Sequence, residues 1–189
     1  MRIVGGKLGG RRLGTPIGRG TRPTSERVRE AIASLLDARG AIHDATVLDL
    51  YAGTGALGFE MLSRGAQRLT FVEKDGAMAG FLKQSADELG VSAQVSVLRV
   101  DATRPNGHKE ILARAPFSLV LADPPYKDAE AAAVALASLT EHGLLADDAL
   151  LLLETSAKSV PALSDSFVVL SEYRYGDTAV ALFKRGGER

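Results

Sequence analysis

From Thr46 to Glu154 the sequence alternates short apolar runs with longer amphipathic stretches, and that alternation leaves few folds open. The apolar runs Thr46 to Tyr51, Leu69 to Glu73, Val95 to Val100, Phe117 to Ala122 and Ala149 to Glu154 predict strands. Helices are expected between them at 55–64, 76–89, 108–113 and 129–142. Strands separated by helices pair in parallel and need helices on both faces, which makes an α/β sheet. The end of the chain is different. Phe167 to Tyr173 and Thr178 to Lys184 are apolar strands joined at Gly176-Asp177, a turn short enough to demand antiparallel pairing. A dinucleotide-binding Rossmann domain would close with a sixth parallel strand instead.

The 189 residues suit one domain with a small appendage, and the absence of cysteine excludes a disulfide framework and a thiolate zinc site. His43, His108 and His142 stand far apart, so no metal is expected. No apolar run approaches the roughly 18 residues that span a bilayer, and the start Met1-Arg2-Ile3-Val4-Gly5 lacks the apolar core of a signal peptide. The expected location is the cytoplasm. A zero net charge conceals an asymmetry: residues 1–30 hold eight Lys/Arg against Glu26 and Glu30, a balance of +6, and the remainder holds 15 against 21, or −6. A basic arm on an acidic body suggests a polyanionic partner, or else a solvated tail.

Within that arm, Gly5-Gly6, Gly9-Gly10 and Gly14 break up residues 2–20 into a small hairpin followed by a loop. Thr24 is the expected N-cap of a helix with Glu26 in its first turn. Val28, Ala31, Ile32, Leu35 and Leu36 mark that helix's apolar stripe, with Arg22, Arg27 and Arg29 near its start.

Gly53, Gly55 and Gly58 satisfy G-x-G-x-x-G between the first strand and its helix, and Glu73 follows Gly53 by twenty residues. Taken literally this is a nicotinamide-dinucleotide fingerprint. Asp49 argues against it, because a carboxylate beneath the loop repels a pyrophosphate and attracts a cation. S-adenosylmethionine (SAM) carries a sulfonium and an ammonium, and its ribose needs an acid such as Glu73. The alternative for Asp49 is to tie down N–H groups of its own loop. Asp101, after the third strand, can accept from an adenine amine or serve as a turn or cap residue. Asp123-Pro124-Pro125-Tyr126 leaves the fourth strand as a stiff, extended corner beside an aromatic ring, which is either a Pro-rich turn or a set of acceptors for an amine.

Together these segments resemble the RsmD family of 16S ribosomal RNA guanine-N2 methyltransferases. The resemblance rests on Arg2 to Gly6, Gly10-Arg11, Arg22-Pro23-Thr24, Arg27 to Glu30, Leu48 to Gly58, Asp123 to Tyr126 and Tyr175-Gly176. It implies a Rossmann-like SAM-dependent methyltransferase fold, with a seven-stranded, mostly parallel sheet, an antiparallel last strand and a small N-terminal β-hairpin. The implied division is a basic arm at 1–23 and a methyltransferase domain at 24–189. Asp49, Tyr51, Gly53, Thr54, Gly55, Glu73 and Asp101 match the cofactor pocket, with Arg22 and Thr24 beside the methionyl carboxylate. Asp123, Pro124, Pro125 and Tyr126 match the catalytic corner, and Arg2, Lys7, Arg11, Arg12, Arg19 and Arg27 the RNA-binding arm. The implied partner is 16S rRNA in the assembled small subunit, with the enzyme a monomer. Ala33 departs from the pattern, since a larger aromatic is expected there. Two further readings are an adenine-N6 methyltransferase on DNA or RNA, whose amine the same corner suits, and a nicotinamide-dependent oxidoreductase.

Overall fold

The computed structural model describes residues 1–14, 25–103, 105–157 and 161–186, the side chains of 105–108 and 126 excepted. Strands β1 (Thr46–Asp49), β2 (Arg68–Val72), β3 (Val95–Leu98), β4 (Phe117–Ala122), β5 (Leu145–Ser156), β6 (Phe167–Tyr175) and β7 (Thr178–Arg185) form one sheet in the order β3-β2-β1-β4-β5-β7-β6. The first five are parallel, and β7 enters antiparallel between β5 and β6. That reversed strand is the feature a dinucleotide-binding Rossmann sheet lacks. The strand order reverses between β1 and β4, where ligands of such sheets bind outside the carboxyl ends.

Helices α1 (Glu26–Asp37), α2 (Ala56–Ser63) and α3 (Gly76–Leu89) cover one face, and α4 (Pro105–Leu112) and α5 (Ala129–Glu141) the other. Alternate strand residues divide between the two layers: Val47, Leu119, Leu121 and Leu152 join the first, Leu48, Val120, Leu151 and Leu153 the second. Among the described residues no helix is long and apolar enough to cross a membrane.

Of the small hairpin and loop expected at 2–20, residues 15–20 lie outside the described residues. The rest doubles back antiparallel at an Arg2–Arg12 bridge, with the Ile3 N–H donating to the Arg11 carbonyl at 3.0 Å and the Leu13 N–H to the Met1 carbonyl at 2.9 Å. It is a bridge and a 3-10 turn at Gly6–Leu8 and not two full strands, and α2 holds it in place. Glu60, fully buried, accepts the Val4 N–H at 2.7 Å on one carboxylate oxygen and the Gly5 N–H at 2.8 Å on the other. Ser63 accepts the Leu8 N–H at 2.9 Å and donates to the Gly5 carbonyl. Ile3, Leu8 and Leu13 sink into the same core as α1 and α2. Gly6 is required here: its φ is +73°, and a Cβ would stand 2.0 Å from the Ser63 carbonyl oxygen. Gly6→Ala is accordingly expected to cost about 2 kcal/mol or more, read as a lower melting temperature.

Helix α1 starts one residue later than expected. Ser25, whose hydroxyl accepts the Val28 N–H at 3.3 Å, is the N-cap, and Thr24 lies outside the described residues. Its buried face is Arg29, Ile32, Ala33 and Leu36. Arg29 turns inward because its guanidinium meets the Arg2 carbonyl at 2.9 Å, so it is not part of a basic surface.

Candidate active site

Four strands carry an acid at or near their carboxyl ends, and the register puts these acids on one face. Asp49 is level with Phe71 on β2 and Leu121 on β4. Glu73 and Asp123 come two residues later on those neighbours, one pleat above Asp49 and to either side. Leu121 is level with Leu152 of β5, which places Glu154 beside Asp123. Sequence reasoning left out Glu154. The signal for it is an acid closing the apolar run Leu150 to Leu153, as Asp49, Glu73 and Asp123 close theirs.

Asp49 is 5% exposed, and its carboxyl is pushed from 3.8 up to about 7. Burial is the main cause, the Asp123 and Glu73 charges add to it, and hydrogen bonds from the Tyr51 and Gly58 N–H groups oppose it. Asp49 therefore does both things the sequence allowed: it holds loop N–H groups and it makes a floor that favours a cation. A raised carboxyl means the unfolded chain loses this proton first, so stability falls as pH climbs from about 4 to about 7 and then levels. Asp49→Asn is expected to stabilise the ligand-free protein, by about 2 kcal/mol more at pH 8 than at pH 5.5. Thermal melts at the two pH values read the difference; equal melting points for the variant and the parent at both would contradict the assigned charge state.

The three glycines have separate tasks. A Cβ on Gly55 (φ +73°) would lie 2.5 Å from Leu82, and one on Gly58 would lie 2.5 Å from Phe71 and 3.0 Å from the Asp49 carboxylate. Both serve close packing of α2 on the sheet. Among the described residues Gly53 (φ +49°) has only the Tyr51 carbonyl oxygen, at 3.9 Å, near its would-be Cβ, so none of them fills the space above it. Glu73 holds that loop by accepting the Gly53 N–H at 3.0 Å on one oxygen and the Asp75 N–H at 2.8 Å on the other. The Thr54 hydroxyl points to the Met1 sulfur at 3.8 Å.

On the other face of the loop the Tyr51 hydroxyl is buried with no hydrogen-bond partner among the described residues. Burial, with the Asp101 and Asp128 charges, pushes it up to about 12, so it stays a neutral donor. Asp101 adopts the turn alternative, accepting the Thr103 N–H at 3.1 Å and its hydroxyl at 2.7 Å. A cradle at Gly53 that no described residue fills, a cation-favouring floor at Asp49, the Glu73 acceptor and a buried hydroxyl with no described partner fit SAM.

At the corner, Asp123 and Pro125 are exposed and Pro124 is buried. The Pro125 carbonyl accepts the Asp128 N–H at 2.7 Å. No backbone N–H reaches the Pro124 carbonyl among the described residues. The Tyr126 backbone opens a 3-10 turn, Tyr126–Asp128, and its ring is outside the described side chains.

The basic residues are less uniform than the charge count implies. Arg11 donates to the Leu89 carbonyl at 2.7 Å and to the Glu88 carbonyl, capping the C-terminal end of α3. Lys7 reaches Gln94 at 3.5 Å. Both sit at the end of the sheet opposite the acids, because α3 runs back from the carboxyl edge. Arg2 pairs with Glu26 at 3.0 Å, and Arg12 and Arg27 are exposed. Arg19, Arg22 and Thr24 lie outside the described residues.

A family model described as "Conserved hypothetical protein 95" matches residues 1–184. The chain is 33% identical over 186 residues to ribosomal RNA small subunit methyltransferase D of Escherichia coli K12, covering 98% of this chain and 90% of that one. With the protein of the same description from Haemophilus influenzae it shares 31% over 184 residues, covering 97% and 93%. A solved Escherichia coli structure superposes with a TM-score of 0.83 at 32% identity, covering 100% of this chain and 99% of that chain.

Proposed function

This chain belongs to the family described as conserved hypothetical protein 95, the RsmD family, and on that premise we propose that it methylates the exocyclic N2 amine of a guanine in 16S ribosomal RNA. It is a SAM-dependent ribosomal RNA methyltransferase. The observation that supports transfer to an exocyclic amine is the corner Asp123-Pro124, whose acceptors stand one pleat above a cation-favouring floor, and the choice of guanine rests on the family.

SAM would supply an electrophilic methyl carbon on a sulfonium, and the residues that would hold it are Gly53, Glu73 through the ribose and Asp49, with Tyr51 and Asp101 at the adenine end. The chain's own groups act on the amine. Its lone pair is delocalised into the base, so it must become tetrahedral to react, and positive charge then builds on its N–H groups. The Asp123 carboxylate and the Pro124 carbonyl accept from those hydrogens and stabilise that charge more than the flat ground state. Asp123 is exposed, so the proton the amine loses passes to solvent.

Tyr126 stacks on the extruded base. Extrusion costs a few kcal/mol and a stack returns about 1–3, so the two roughly offset. The remaining affinity comes from phosphate contacts of the exposed Arg2, Arg12 and Arg27, with the salt dependence such contacts impose. The partner is the assembled small subunit, met by a monomer in the cytoplasm.

Labelled SAM tests this reading. Transfer of the label to rRNA is expected with small subunits from a strain lacking the enzyme. No transfer, together with binding of NAD and not SAM, would return the glycine loop to the oxidoreductase reading.

A further inference from the structure

Resting on the reading above, we propose that Asp49 distinguishes the cofactor from its spent product by charge: it gives up a proton to solvent when SAM binds and keeps that proton when S-adenosylhomocysteine (SAH) binds. SAM and SAH differ by one methyl group and one positive charge at sulfur. Their ammonium and carboxylate groups are the same and cancel.

The geometry makes Asp49 responsive to that single charge. It sits below the loop at 5% exposure, against the Gly58 backbone of α2, which presents an N–H and no side chain. From β2 it faces Glu73 and from β4 Asp123, both on its own face, and Glu154 stands one strand further along beside Asp123. No Lys or Arg of the described residues is among the charges acting on it. Of Asp49, Glu73 and Asp123 only Asp49 is buried, and the charges of half-buried Glu73 and exposed Asp123 on its own face add to the cost of ionising it. In the ligand-free protein Asp49 holds its proton up to near neutral pH; with SAM bound the sulfonium would offset the charge instead. Methyl transfer removes the sulfonium charge, leaving a neutral thioether above an ionised Asp49. The carboxylate then recovers a proton from solvent, so the balance over one turnover is one proton out on binding and one in after transfer.

The size follows from the carboxyl at about 7. At pH 6 about nine-tenths of Asp49 is protonated and at pH 8 about one-tenth. SAM binding should therefore release about 0.9 proton at pH 6 and about 0.1 at pH 8, and SAM affinity should rise about tenfold between them. SAH should release none and hold a constant affinity. The preference for cofactor over product thus widens about tenfold with pH, which relieves product inhibition in alkaline conditions.

The test is titration calorimetry of the full chain with SAM and with SAH, at pH 6 and pH 8, each in phosphate and in Bis-Tris or Tris. The dependence of the observed heat on buffer ionisation counts protons. Release with SAM alone, concentrated at pH 6 and abolished in Asp49→Asn, supports the proposal. Equal proton release by SAM and SAH, or none with SAM at pH 6, overturns it and leaves the methyltransferase reading standing. Failure of the parent protein to bind SAM at all overturns both. A thermal melt of the Asn variant shows whether it is folded, and the proton counts of the parent decide the matter if it is not.

Discussion

Replacing Asp123 by alanine is expected to lower methyl transfer by about 10²–10³-fold, the loss seen when one preorganised polar group is taken from a developing charge. The SAM dissociation constant should stay within a few-fold of the parent value. The split follows from height: Asp123 stands one pleat above Asp49 and is exposed at the rim, whereas the cofactor floor is Asp49 and Glu73. Asp123→Asn keeps an oxygen acceptor without the charge and should fall between parent and alanine. Calorimetry and single-turnover transfer, run on the same preparations, separate the two effects. Unchanged turnover in the alanine variant would remove the proposed role. Loss of SAM binding in proportion to turnover would place Asp123 in the floor of the cofactor pocket.

The second large effect is on stability and lies away from the site. Glu60→Ala should cost about 3–5 kcal/mol, because it removes the acceptor of two N–H groups and the buried one of two carboxylates that pair with Arg64. Those partners are the Val4 and Gly5 N–H groups and Arg64, whose Nε is 2.9 Å from Glu60 and whose Nη2 is 2.6 Å from Glu30. For a chain of this length that corresponds to a fall in Tm of about 10 °C. Amide exchange should accelerate first in residues 1–13, the segment Glu60 anchors. A loss below about 1 kcal/mol would mean that Ile3, Leu8 and Leu13 hold the segment by burial alone.

Much of the fold could be read before any coordinates. Each βα unit carries its own period, and the Gly176-Asp177 turn leaves β7 no parallel option. The acids at strand ends were also legible, because a charge that closes an apolar run points to the carboxyl edge of a sheet. The N-terminal segment was legible only in part. It doubles back as its glycines predict, but the partner that fixes it to the body is Glu60, some 55 residues away in sequence. Within Phe59-Glu60-Met61 that acid looks like an ordinary helix surface residue. The inward turn of Arg29 was hidden for a related reason: a charged residue breaks an apolar stripe, and only the Arg2 carbonyl explains its burial. Ser25 and Thr24 are equally good caps by residue type, and local sequence does not separate neighbours. The glycine loop was half legible. Its spacing identified the turn, but that Gly55 and Gly58 pack on Leu82 and Phe71 while Gly53 alone of the three has no described side chain against it needed coordinates.

The most direct measurement is the identity of the modified nucleoside. Small subunits from a strain lacking the enzyme are incubated with the protein and SAM, the 16S rRNA is digested, and the nucleosides are separated by mass spectrometry. The account predicts N2-methylguanosine, formed by the parent protein and strongly reduced with Asp123→Ala. N6-methyladenosine in its place would contradict the guanine assignment, and rRNA left unmethylated by a SAM-binding parent protein would contradict the account as a whole.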